Sequence, residues 1–195
     1  AFLGDLDAAA AICEEVREVC EDHGERWALA YALYVLAYAA LRRGRPEQAR
    51  QMLGECLSIG RTFDDLLSTA LSLELLALVT AVEGGAGEAA VLQGAAERIW
   101  PSVGLPLFGS VHFGRPRVEC EEQVRRELGD AAYEAGLRAG KRLDRAGAVE
   151  RALGGGGGGA RVHRDTPGTD GGPAAGGTRR PAASRMTGRG GPERW

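Results

Sequence analysis

No run of about 18 apolar residues free of charge or small side chains occurs in this sequence, so no stretch reads as a membrane-crossing helix. Trp27–Leu41 comes nearest, and it is too short and too rich in alanine. No charged start with an apolar stretch behind it opens the chain, so no secretory leader is read. The chain opens at Ala1 with no initiator Met, enters a helical pattern almost at once, and reads as a fragment or a processed chain. These features predict a soluble, cytoplasmic protein. Also missing is any phosphate loop of the form G-x-x-x-x-G-K-[ST]. His112 has no Ser or Cys nucleophile beside it in a catalytic pattern, so it reads as a packed or exposed side chain. Paired carboxylates such as Glu14-Glu15 and Glu121-Glu122 read as solvated helix surface. The expectation is a protein that is not an enzyme and carries no cofactor.

Cysteines are few: Cys13, Cys20, Cys56 and Cys120, each inside a predicted helix where a small apolar residue would serve. Cys13 and Cys20 share a helical face but lie two turns apart, about 10 Å at 1.5 Å per residue, which is too far for a disulfide. Cys20 and His23 have the spacing of half a zinc site, and no second ligand pair follows. Buried thiols and no metal are therefore expected.

What is present is helical and periodic. Trp27–Arg42 is apolar almost all round, so neighbours must cover it on more than one side. Gly44-Arg45-Pro46 then turns the chain, and Pro46 suits a first helical position because its missing N–H costs nothing there. Over Pro46–Ser58, Ala49, Met52, Leu53 and Cys56 fall on one face, leaving Arg50, Gln51 and Glu55 in water. A fixed step of about 40 residues, a length typical of helical repeats, relates Gly4, Gly44 and Gly84, then Ala9, Ala49 and Ala89. The same step relates Ile12, Met52 and Leu92, then Val16, Cys56 and Ala96, then Val19, Ile59 and Ile99. The preceding helix repeats as well, with Leu33 against Leu73, Leu36 against Leu76 and Ala37 against Ala77. A fixed period that conserves residue size predicts a stacked helical array.

Residues 5–22 read as the second helix of a first, incomplete repeat, whose apolar face needs cover from something N-terminal. Gly24 ends this helix. Asp64-Asp65 starts the next long helix with the acidic residues that a helix N-terminus favours. Ala86–Trp100 is the third helix of its kind.

The residues Leu33, Leu36, Ala37, Gly44, Ala49, Leu53 and Cys56 resemble a tetratricopeptide repeat, lengthened here by about two helical turns. Longer repeats of this kind are similar to the C-terminal regions of large actinobacterial ATP-binding LuxR-type regulators and related signal-transduction ATPases. The echo includes Leu92-Gln-Gly-Ala-Ala-Glu97, a Gly-Leu-Pro-Leu stretch, residues 120–129 and residues 132–136. The resemblance covers about residues 1–153. It implies an all-α fold: a tetratricopeptide-like α-solenoid of antiparallel helical hairpins over 1–100, then a loop and a C-terminal helical cap over 101–153.

Tyr31, Tyr34 and Tyr38 share a face at i, i+3 and i+7, with Leu71, Glu74 and Leu78 equivalent one repeat on. In the family that face lines the concave groove, which makes Tyr31, Tyr34, Tyr38 and Glu74 candidate groups for holding a protein or peptide partner. The alternative is that the rings pack against adjacent helices with their hydroxyls toward water. The Lys and Asn groups that clamp a peptide carboxylate in co-chaperone members are absent from these positions.

Pro101–Gly114 reads as a long non-helical connection packed down by Leu105, Leu107, Phe108, Val111 and Phe113. Residues 116–128, 130–139 and 144–153 read as three shorter helices with a mixed, solvated charge pattern. Residues 154–195, rich in Gly, Pro and Arg, read as a disordered tail. Lys and Arg outnumber Asp and Glu seven to three in that tail and fall short seventeen to twenty-four before it. A basic tail can touch nucleic acid by charge alone, or serve only as a linker. It shows no helical periodicity, so the DNA-binding domain of the LuxR-type relatives is not carried over, and their ATPase lies upstream of this region.

The expected function is a sensory or protein-interaction region of a larger transcriptional or signalling regulator. The partner would be a protein, a peptide or upstream domains of the same polypeptide, with no sequence-specific DNA binding and no membrane. The alternative is a freestanding scaffold that binds a peptide in its concave groove.

Overall fold

Alanine and leucine lose least on entering a helix, and they make up most of the two central apolar segments of this chain. The computed structural model describes residues 5–104 and 111–154, and among these there are eight α-helices and no strand. They are α1 (Leu6–His23), α2 (Trp27–Arg42), α3 (Pro46–Thr62), α4 (Leu66–Val82), α5 (Ala86–Val103), α6 (Val111–Leu128), α7 (Asp130–Gly140) and α8 (Arg145–Gly154). The fold is all-α, and no described helix is long and apolar enough to cross a membrane.

The spacing of these elements is regular. Helices α1, α3 and α5 begin at Leu6, Pro46 and Ala86, equally spaced along the chain by the step that relates Gly44 to Gly84. Left-handed backbone occurs at Gly24 (φ 68°), Gly44 (74°), Asp64 (57°), Gly84 (85°) and Gly104 (72°), at even intervals of half that step. At the first four, the following N–H reaches back five residues to a carbonyl of the helix just ended. Glu25 N bonds Cys20 O at 2.8 Å, Arg45 N bonds Ala40 O at 2.9 Å, Asp65 N bonds Gly60 O at 2.9 Å and Gly85 N bonds Thr80 O at 2.8 Å. This closure satisfies a carbonyl that a helix end otherwise leaves orphaned. Helix starts are marked too: the Asp5 and Asp65 carboxylates cap Ala8 N and Ser68 N, and Pro46 opens α3.

Packing follows from the pattern. Helix α2 lies between α1 and α3, and α4 lies between α3 and α5. Ala37, Ala49, Leu53, Cys56, Leu73 and Ala77 are fully buried in one continuous core. Helix α5 crosses α7 so closely that a Cβ at Gly94 would overlap the carbonyl of Leu137, and one at Gly140 the carbonyl of Val91. Helix α6 lies on α4 and α5, and α8 touches α3, α4 and α5.

Three expectations need correction. Helix α3 continues to Thr62, and Arg50 is not simply wet: it donates to Thr80 Oγ1 at 2.8 Å and Glu83 Oε2 at 2.9 Å. Helix α5 runs through Pro101 to Val103, and α6 begins at Val111 with Pro116 inside it. Each proline removes one backbone bond near a helix end, and the helix runs on past it. The non-helical connection expected from Pro101 to Gly114 is therefore shorter at both ends. The apolar segment at 105–110, the side chain of His112 and the tail beyond Gly154 lie outside the described residues.

Candidate functional site

The three tyrosines of α2 have unlike environments. The Tyr31 hydroxyl donates to Asp65 Oδ2 at 2.7 Å, and Trp27 Nε1 donates to the same oxygen at 3.0 Å. The two rings meet edge to face with centroids 5.3 Å apart. Because Asp65 also caps α4, this cluster ties the start of α2 to the start of α4. Burial and the Asp65 bond push the Tyr31 phenol above its ordinary range. Tyr34 is 8% exposed and belongs to the core. Its phenol is raised by burial and by the charge of Glu74. Tyr38 is half-buried against the core, with Glu119, Arg42 and Arg115 acting on its hydroxyl. Of the three, Tyr31 and Tyr38 keep an edge toward solvent.

Glu74 is not open to a partner. It is 2% exposed, and its Oε1 accepts from Arg117 Nη1 at 2.7 Å and from Trp100 Nε1 at 3.1 Å. Arg117 also donates to Glu97 Oε2 at 3.0 Å, and Lys141 Nζ lies 2.6 Å from Glu97 Oε1. Burial raises the Glu74 carboxyl against the opposing pull of Arg117 and Trp100. Burial also pushes Glu97 up, but Lys141 and Arg117 outweigh it and hold that carboxyl below its ordinary value. The fully buried Gln93 completes the cluster, donating to Arg117 O at 2.8 Å and accepting from the Tyr133 hydroxyl at 3.0 Å. The resemblance implies an open groove position for Glu74, whereas α6 covers it through Arg117.

Sequence reasoning missed Arg117, Trp100 and Gln93. One signal pointed toward them. Glu74 is the sole charge in α4, and a carboxylate inside an apolar helix needs a cationic partner.

Beside α6 a pocket of about 290 Å³ opens on a floor of Leu41, Leu78 and Val82, rimmed by Arg42, Glu119 and Arg126. Arg42 and Arg115 both bond Glu119, at 3.1 and 2.7 Å, so that carboxylate of the rim is already paired.

The thiols suit packing. The Cys56 thiol donates to Ala30 O at 2.7 Å, and burial pushes its pKa up to about 12. Burial raises Cys120 as well. Burial disfavours the thiolate of both, as befits packed side chains. Among the described residues no three His, Cys, Asp or Glu side chains gather as a metal site. No family model matches the chain, and neither a curated protein nor a solved structure is significantly similar to it.

Proposed function

We propose that this chain is the protein-interaction, sensory part of a larger transcriptional or signalling regulator. In this reading it is a tetratricopeptide-like α-solenoid of antiparallel helical hairpins, closed by α6–α8 as a C-terminal cap. One observation carries the proposal: the starts of α1, α3 and α5 recur at one fixed step, and the same turn closure recurs at half of it. Such an array presents long surfaces to partners, whereas every charged cluster and thiol described above serves packing. A protein or peptide partner reaches the exposed edges of Tyr31 and Tyr38 and the adjoining pocket rather than Tyr34 or Glu74. The acidic folded part repels a duplex, so DNA sequence is not read by this chain.

A photo-crosslinking residue placed at Tyr38, with another at the exposed Glu150 as control, tests this in cells. The expected outcome is an adduct with a regulator component at Tyr38 and none at Glu150. Equal, unselective labelling at both positions overturns the reading, as does tight, sequence-selective DNA binding by the chain.

A further inference from the structure

Helix α8 is fastened unlike its neighbours. Helix α7 cannot leave without opening the core: Tyr133 is 1% exposed and bonds Gln93, and Gly140 lies against the carbonyl of Val91. Helix α6 is tied by Arg117 to the buried Glu74. Helix α8 touches α3, α4 and α5, yet it buries only Ala148, Val149 and Ala152. Two methyls and one isopropyl group remove little apolar surface from water. Leu153, the remaining aliphatic side chain, lies over Gly54 of α3 and stays 38% exposed.

The polar contacts differ in the same way. Among the described residues, two side chains tie α8 to the helices beneath it. Arg145 pairs with Asp64 in the turn before α4, and Arg151 grips both oxygens of Glu88 in α5 at 2.6 Å. Both pairs are partly open to water, so salt screens them. The cap of α8 is its own, since Asp144 accepts from Gly147 N at 2.8 Å and from Ala148 N at 2.9 Å. The turn before it belongs to the body, because Arg98 bonds Lys141 O at 3.3 Å and Leu143 packs on the core. A helix this short, with Gly147 inside it, does not persist alone in water.

We infer that α8 is a detachable strap. It lifts off α3, α4 and α5 as one unit at Asp144 while α1–α7 stay folded, and ionic strength sets how often it is off. Lifting bares Gly54 and frees the Asp64 and Glu88 carboxylates. The chain then offers a surface edged with negative charge that it hides when closed. No residue of the pocket beside Tyr38 takes part, so the strap stands apart from the interaction-region reading.

Hydrogen exchange of the full chain, read amide by amide by NMR, tests this. Amides from Ala148 to Ala152 should share one rate, at least about tenfold faster than those inside α7. That shared rate should rise with salt while α7 keeps its own. Arg151→Glu should speed exchange across α8 without moving α7, and adding Glu88→Arg should restore most of the protection. Val149→Asp should leave α8 unprotected and α1–α7 folded. A rate that climbs gradually toward Gly154, with Ala148 as protected as α7, is fraying and overturns the inference. So does opening of α7 together with α8, or exchange in α8 that neither salt nor Arg151→Glu changes.

Discussion

Arg117 of α6 and Glu74 of α4, far apart in sequence, meet at 2.7 Å with the carboxylate almost wholly out of water. The contact fixes α6 on the repeat core. Glu97 takes the second guanidinium nitrogen, and Gln93 takes the Arg117 carbonyl. A buried pair of this kind is not a free gain, since both ions give up solvation. It fixes which helix lies here and at what register.

Removing one partner should therefore cost more than replacing both. Arg117→Ala leaves the buried Glu74 carboxyl without its cation, and the expected loss is about 3–5 kcal/mol in urea unfolding. Glu74→Leu combined with Arg117→Met should recover most of that loss. If Arg117→Ala alone shifts the midpoint negligibly, the pair does not hold α6.

The helix and turn pattern was legible because it depends on local chemistry. Gly44 and Gly84 supply left-handed turns, Pro46 opens a helix, and Ala37 and Ala77 keep their size through the period. What was not legible came from the chain folding back. Nothing local to Glu74 says that α6 will bring Arg117 to it, and nothing local to Gly94 says that α7 will press on its Cα. Tyr34 and Tyr38 look alike on a helical wheel, yet one is interior and the other borders a pocket rim. Prolines misled for the opposite reason: Pro101 and Pro116 are strong local stop signals, yet each lies within a turn or two of a helix end, where only one backbone bond is lost.

The α5–α7 crossing gives a paired test. Gly94→Ala places a methyl against the Leu137 backbone, which cannot rotate away, and should cost roughly 1–3 kcal/mol or more. Gly87→Ala, in the same helix with nothing within 4 Å, should be neutral or stabilising by about 0.5–1 kcal/mol from helix propensity. Equal melting temperatures for the two variants would contradict the close crossing.

Asp64 stands where the turn recurrence places glycine in four other turns, and it holds φ at 57°. A side chain in that conformation costs about 1–2 kcal/mol. The exposed ion pair of Asp64 with Arg145 offsets little of it. Asp64→Gly should raise the melting temperature and Asp64→Ala should lower it. A lowered melting temperature for Asp64→Gly would show that the contact with Arg145 outweighs the backbone cost.

Ala37 probes the repeat register directly. It is fully buried, and so is its counterpart one repeat on, Ala77. Ala37→Leu should overpack the core by roughly 1–3 kcal/mol, whereas Ala11→Leu on the exposed side of α1 should change little. Arg50→Leu is expected between the two, because it gives up the bonds to Thr80 and Glu83 at a partly exposed site. Indistinguishable chemical denaturation midpoints for Ala37→Leu and Ala11→Leu would break the register.

The buried thiols predict an alkaline limit to stability. The Cys56 pKa rises from 9.0 in the unfolded chain to about 12 in the fold, because burial disfavours the thiolate. A group raised on folding contributes its full stability below the unfolded value and loses it as pH climbs through the folded one. The window therefore opens near pH 9 and closes near 12, and across it one thiol of this kind removes about 4 kcal/mol. Cys120 shifts in the same direction and adds to the loss. Cys56→Ala should be less stable than wild type at neutral pH, because it gives up packing and the bond to Ala30 O, and should lose less on alkalinisation. Thiol titration with an aromatic disulfide reagent under mildly alkaline conditions supplies the second check. Half-buried Cys13 should react first, while Cys56 and Cys120 should react only at the rate of unfolding. Fast labelling of Cys56 in the folded chain, or identical alkaline unfolding of wild type and Cys56→Ala, would remove this thiol as the source of the limit.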